Sequence, residues 1–399
     1  IMSNSSTTRA ILLLGIASFA STCAFRVLDP ALMNLSETFD ITTGEAAHVM
    51  TWFAVAYGVM QFFYGPIGDR FGKYRTVATA TLACAVGNYW VAIAPTFDLI
   101  VVGRFLSGAA AAGIIPMSMA WIGDHVPYEK RQETLAKFSI GMVTGMGSGL
   151  VLGGMFADTL GWRASFYFLG SLYLVVGTLL ISQRGSMPDL KNKSQVGFEL
   201  LTPIKGVIAI PWARVVLGIV LIEGALVFGA LSFVPSYLQM KHEISSTMAG
   251  LITGLYSCGA LIYVMISKWV IKRLGESHLV QSGGVILALS YIIFLWVPGW
   301  QFAMLASVMC GLGYYFMHAV LQTLATQMAP ERRGTAVALF ASFLFAGQAI
   351  GITLGAQVVD QFGLGSIFIF AILLMPLIAY WFAHKLNQRR ISLAASSAK

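Results

Sequence analysis

The chain has 399 residues, 57% of them hydrophobic and 11% charged, with a formal net charge of +8 and a mean hydropathy of +0.77. Soluble domains carry about 25% charged residues, so a water-soluble globule is excluded for want of polar surface to cover it. The basic excess does not imply a nucleic-acid partner, because its placement along the chain follows bilayer topology instead.

Met2 reads as the native start and Ile1 as a leftover residue. A membrane span needs about 20 mostly apolar residues. The first such run, about 10–35, carries Arg26 and Asp29 and no small-residue cleavage site follows it. It therefore reads as a first span and not as a signal peptide. Eleven more follow at about 46–65, 76–94, 99–122, 135–157, 164–182, 213–238, 247–267, 278–297, 300–326, 335–357 and 365–384. The 41 glycines suit close helix packing in lipid. Cys23, Cys84, Cys258 and Cys310 all lie in apolar runs without a CxxC, so neither a metal site nor a disulfide framework is indicated. One long polar stretch, with Pro188, Asp189, Lys191, Lys193, Pro203 and Pro211, divides the chain. Residues 1–182 are expected to form an N-terminal six-helix bundle, 183–212 a cytoplasmic linker, and 213–399 a C-terminal six-helix bundle with a short tail.

With the N-terminus inside, 21 of the 25 Lys and Arg residues fall on cytoplasmic segments. Arg163 and Lys241 fall outside, and Arg26 and Arg104 lie within spans. The positive-inside rule then places both termini in the cytoplasm and supports an even number of spans.

The two halves match at an offset of about 202 residues. Gly145, Gly149 and Gly153 map onto Gly347, Gly351 and Gly355, and Asp158, Gly161 and Phe166 onto Asp360, Gly363 and Phe368. At offset 203, Arg70, Phe71 and Gly72 correspond to Arg273, Leu274 and Gly275, and Pro127 to Pro330. Two parallel six-span repeats imply two pseudo-symmetric bundles with a site between them near the midplane. Rocking of one bundle on the other would expose that site to each side in turn.

Between spans 2 and 3 runs Gly65-Pro66-Ile67-Gly68-Asp69-Arg70-Phe71-Gly72-Lys73-Tyr74-Arg75. Gly65 and Gly72 permit a tight turn where backbones meet. Asp69 lies at the cytoplasmic face, where the N-terminal dipole of span 11 attracts an anion, so Asp69 with Gly65, Arg70 and Gly72 reads as a conformational latch between the halves. This segment resembles the major facilitator superfamily signature G-x-L-A-D-R-x-G-R-[KR], with Ile67, Gly68, Lys73 and Tyr74 as variants. In span 4, Arg104-Phe105-Leu106-Ser107-Gly108 and the small residues after it are similar to that family's R-x-x-Q-G-x-G-x-A element, with Ser107 for Gln and Ala110 for the second Gly. The resemblance implies a proton-transfer role for Arg104; a structural anchor paired with a carboxylate is the other reading. In span 5, Gly145, Gly149, Gly153 and Gly154 resemble the antiporter element G-x3-G-P-x2-G-G, with Leu150 where Pro is expected. These glycines also serve small-residue packing. The fold implied is all-α, integral to the membrane, with twelve transmembrane helices in the major facilitator arrangement. The drug:proton antiporter branch is the resemblance within it, and a bacterial cytoplasmic membrane the expected location.

Ionisable groups within spans are costly and usually functional. Arg26, Asp29, Arg104 and Glu223 are such groups, and His318 is a less costly fifth. Arg26 and Asp29 stand at i, i+3, Arg104 reaches a similar depth from span 4, and Glu223 lies near the midplane without a basic neighbour in sequence. Burial penalises the charged form of an acid and a neighbouring Arg opposes that penalty. Asp29 and Glu223 are therefore candidate proton carriers, with Arg26 and Arg104 tuning Asp29; salt bridges or water-satisfied acids are the structural alternatives. Arg26, Tyr57, Gln61, Glu223, Tyr256, Tyr314, His318 and Gln322 are candidate cavity residues, with Tyr315 and Gln348 beside them, while His318 also fits a hydrogen-bonded packing role.

No Walker, HExxH or GxSxG sequence occurs, so neither ATP-driven pumping nor hydrolysis is indicated. The expectation is a monomeric secondary transporter without cofactor or metal, drawing on the proton gradient. Its partners would be a small molecule, protons and the bilayer, and its most direct function efflux of amphipathic or drug-like compounds. A transporter of a specific metabolite, such as an organic anion or sugar, is the alternative, and Arg26 as a carboxylate ligand favours it.

Overall fold

The computed structural model describes residues 4–183 and 201–397. Most of the expected linker, including Lys191 and Lys193, lies outside the described residues, as do Ile1 and Met2. Among the described residues eleven helices are long and apolar enough to cross a bilayer. Spans 1–6 are Thr7–Arg26, Thr43–Phe71, Lys73–Ile93, Phe97–His125, Glu133–Thr159 and Trp162–Gln183. Span 7 is Pro211–His242. A 51-residue helix, Ser246–Trp296, follows. Gly275, at φ 71° and ψ 168°, breaks it into spans 8 and 9, so the chain crosses twelve times. Spans 10–12 are Trp300–Ala325, Pro330–Phe362 and Ser366–Ser392.

Gly72 does at the end of span 2 what Gly275 does at the end of span 8: with φ 95° and ψ 136° it turns the chain between two helices without an intervening loop. Only a residue without Cβ takes this backbone freely. Gly161 and Gly363, the repeat pair after spans 5 and 11, likewise have φ 85° and 88°. The sequence repeat is thus a repeat of backbone geometry. Gly65 corrects the expectation for its segment: it lies inside the span 2 helix with open space beside it and makes no turn.

Spans 1, 4 and 7 depart from the uninterrupted helices expected. Span 1 stops at Arg26 instead of running to 35, and Leu32–Phe39 forms a separate short helix. Pro30 has no N–H to give the Arg26 carbonyl, which accepts from the Asp29 N–H at 3.2 Å instead. Span 4 changes direction between Ala111 and Ile114. Span 7 is α-helical to Glu223, widens to a π-helix over Gly224–Phe228, and resumes as Val234–His242. π-Bulges of this kind cluster at functional sites.

Glycine lets the spans approach to backbone contact. A Cβ at Gly145, Gly149 or Gly153 would fall 2.5, 2.3 or 1.9 Å from the carbonyls of Phe19, Cys23 and Val27, so span 5 lies directly on span 1. Gly347 and Gly351 seat span 11 on Leu221 and Ala225 of span 7 in the same way. A second face of span 5 meets span 8, with Gly154 against Ser246 and Gly250 against the Leu150 carbonyl. Gly58 and Gly44 bring span 2 against span 11. The two halves therefore touch along spans 5 and 8 and along spans 2 and 11.

The face bearing the chain ends and the basic connections is called here the basic face, the other the far face. At the far face the halves are closed. The Asp158 carboxylate at the end of span 5 accepts from the Ser246 and Thr247 amides at the start of span 8, at 3.1 and 2.6 Å. Asp360, its repeat mate, accepts from the Gly44 amide and the Thr42 hydroxyl at the start of span 2, at 3.0 and 2.7 Å. Toward the middle, Ser342 donates to the Gly58 carbonyl and Ser257 to the Val143 carbonyl. At the basic face a cavity of about 280 Å³ separates span 2 from span 11, lined by Gln61, Phe62, Asp69, Ile204, Gly334 and Thr335 among others. The halves are thus joined at the far face and parted by this cavity at the basic face.

Candidate functional site

Arg26 closes span 1, where a cation at a helix C-terminus complements the dipole. Its Nη2 is 2.9 Å from Asp29 Oδ2, both groups being fully buried. The same guanidinium donates through Nη1 to Ser232 Oγ of span 7 at 3.2 Å, and lies 5.8 Å from the ring centroid of Phe228. Arg26 thus pairs with an acid in its own half and with a hydroxyl in the other. Asp29 is placed in the turn after span 1, not on the helix face with Arg26 as its spacing implied.

Arg104 reaches the same turn from span 4. It donates to the Ala24 carbonyl at 3.0 Å and the Val49 carbonyl at 3.4 Å, with Phe53 stacked at 4.2 Å. Ala24 lies in the last turn of span 1, where carbonyls lack helical partners, so Arg104 satisfies a buried helix end. Its charge, with that of Arg26, acts on Asp29. Three of the expected residues, from spans 1 and 4 and the turn, are brought together.

In the other half Glu223 is fully buried at the start of the π-stretch, and its Oε2 lies 2.8 Å from His318 Nδ1 of span 10. Glu223 therefore has a basic partner, which sequence distance concealed. The His318 ring stacks on Tyr314 at 4.7 Å, and Tyr314 in turn meets Phe228, Tyr256 and Tyr315. Across the midline Tyr57 packs on Phe345 of span 11 at 4.2 Å, with Phe25 and Phe53 adjoining. Gln61 donates to the Ala112 carbonyl, Gln348 is buried, and Gln322 is exposed toward the basic end of span 10.

The latch expected at Asp69 is not engaged. Asp69 is exposed on the wall of the basic-face cavity, with Thr335 of span 11 on the opposite wall. The parting of the halves there is the physical reason. Arg70 lies over the Phe71 ring and Lys73 ion-pairs with Asp124. Asp158, Asp360, Ser232 and Gln239 are among the residues that do join the halves; the sequence shows Asp158 and Asp360 as a repeat pair but not as contacts.

The chain matches the model of the Major Facilitator Superfamily over residues 14–245 and 239–396. It belongs to that superfamily. It is 22% identical over 372 residues to the uncharacterized MFS-type transporter YceJ of Bacillus subtilis (strain 168), covering 91% of this chain and 93% of that protein. To Multidrug resistance protein 1 of the same organism it is 25% identical over 337 residues, 83% of this chain and 84% of the other. To the quinolone resistance protein NorA of Staphylococcus aureus (strain Mu50 / ATCC 700699) it is 22% identical, covering 83% and 85%. Among solved structures, the nucleoside transporter NupG superposes with a TM-score of 0.76 at 13% identity, over 94% of this chain and 98% of that one. A bacterial homolog of the lysosomal transporter Spinster, inward-facing and unoccupied, gives 0.74 at 16%, over 96% and 97%. The superfamily fold is what these structures share with the chain, and the molecule is an integral membrane transporter resembling the drug:proton antiporter branch.

Proposed function

We propose that this transporter exports amphipathic or drug-like small molecules in exchange for protons, by alternating access, from a bacterial cytoplasmic membrane with its basic face and both termini in the cytoplasm. It acts as a monomer on the proton gradient. The observation that carries the reading is the Arg26–Asp29 pair, buried where the halves meet, with Ser232 of the opposite half on the same guanidinium. Any change of charge on Asp29 alters what Arg26 can offer across that contact. Glu223 and His318 form a second buried acid–base pair beside the aromatic groups of the other half, suited to a planar or cationic ligand. The multidrug and quinolone resistance names of the relatives point the same way.

The test is transport in proteoliposomes under an imposed pH gradient, read with a fluorescent amphipathic cation. Asp29→Asn and Glu223→Gln should each abolish gradient-driven accumulation. Full activity of Asp29→Asn would remove the N-terminal half of the proposal. The alternative, a specific organic anion or sugar as substrate, is favoured by Arg26 Nε, which is buried without a hydrogen-bond partner. Thermal-shift screening of cationic against anionic compounds separates the two readings.

A further inference from the structure

The two far-face latches differ in what lies behind them. Ser246, whose amide is held by Asp158, has its Oγ 3.1 Å from Gln239 Oε1 and 3.2 Å from Asn34 Oδ1. Gln239 Nε2 in turn donates to the Pro30 carbonyl at 2.9 Å. A carboxamide has one accepting and one donating end, and a hydroxyl at its oxygen aims the NH2 at Pro30. Pro30 follows Asp29 directly, and its ring is wedged between Gly153 of span 5 and Gly250 of span 8. A contiguous path thus runs from the Asp158 latch through Ser246 and Gln239 to the turn that holds Asp29.

We propose that Gln239 is a positioning residue that couples closure of the far face to the Asp29–Pro30 turn. The inference rests on the reading of Asp29 as a proton carrier. The charged groups facing Asp29 are Arg26 of span 1 and Arg104 of span 4. Asp158 is the acid nearest the other end of the path, at Ser246. Lys241 is turned away onto the Phe294 and Leu295 carbonyls, and Glu243 is exposed beyond it. When Asp29 gains or loses its proton, its pairing with Arg26 changes and the turn shifts. Gln239 passes that shift to the span 5–span 8 contact, because its NH2 donates to the turn while its oxygen accepts from Ser246.

Spin labels replacing Leu160 and Trp296, exposed at the far ends of the two halves, report the far-face distance by pulsed dipolar spectroscopy in nanodiscs, with exposed Cys258 replaced by Ser. The distance in the parent protein is expected to shift with pH, and Asp29→Asn to abolish the shift. Gln239→Met, similar in size but without the amide, should reduce the shift at least about fivefold, as should Ser246→Ala. If both variants keep the full shift while Asp29→Asn loses it, the role of Gln239 is overturned and the Asp29 reading stands. A constant offset at every pH with the shift intact marks Gln239 as merely structural and overturns the inference too. Should Asp29→Asn keep the shift, the proton-carrier reading fails and the coupling falls with it. If Gln239→Met does not fold, Ser246→Ala decides alone.

Discussion

Glu223 and His318 stand 95 positions apart in the chain and 2.8 Å apart in space. The pair bridges span 7 at its π-stretch to span 10, so it fixes the distance between two helices of the C-terminal half.

Glu223→Gln keeps an acceptor for His318 and should preserve thermal stability while abolishing proton-driven transport. Glu223→Ala leaves the buried imidazole without its partner, at a cost of about 1–3 kcal/mol. Melting of the purified protein in detergent, set beside the transport assay, distinguishes the two effects.

Asp158 and Asp360 each hold helix-start groups of the opposite half. An amide in place of either carboxylate gives up a charge-assisted bond worth about 1.5–3 kcal/mol. Asp158→Asn and Asp360→Asn should therefore each move the equilibrium toward far-face opening by about ten- to a hundredfold, and the double variant by roughly the product. Thiol labelling of a cysteine placed at Thr353, half-buried near the far face, measures this as a rate.

Gly153→Ala places a methyl 1.9 Å from the Val27 carbonyl, whereas Gly15→Ala points into open space. The first should destabilise the protein by about 1–3 kcal/mol through forced separation of spans 1 and 5. The second should stay within about 0.5 kcal/mol of the parent. Equal melting temperatures for the two would contradict the packing described.

Arg104→Lys keeps the charge and loses the fork that reaches Ala24 and Val49 while stacking on Phe53. Lysine offers a point charge on a flexible stem. Both stability and transport should fall, and a variant indistinguishable from the parent would show that charge alone suffices.

Much of this was legible in the sequence because bilayer burial and the internal repeat leave strong local signals. Apolar runs gave the spans, and Gly72 with Gly275 marked equivalent turns. The pairing of Arg26 with Asp29 followed from proximity in the chain. What stayed hidden depends on helix interruptions and long-range approach. The apolar pattern carries span 1 nine residues past its end at Arg26, because Val27 and Leu28 mask the turn that Pro30 enforces. The partner of Glu223 lies three spans away, which no local pattern encodes. The chemistry of Asp69 suits a latch, but whether a latch is engaged is a property of the conformation and not of the residue.

Where spans 5 and 8 meet, Gly154 abuts the Ser246 backbone and Gly250 the Leu150 carbonyl. A seam of main chain on main chain has no long side chain whose rotamer changes could open a gap, and no room for a file of water. A carrier living on an ion gradient is drained by any wire of water that conducts while the cargo is absent. In the proton exchange proposed above, these glycines would act as insulation, keeping the far face shut to stray protons.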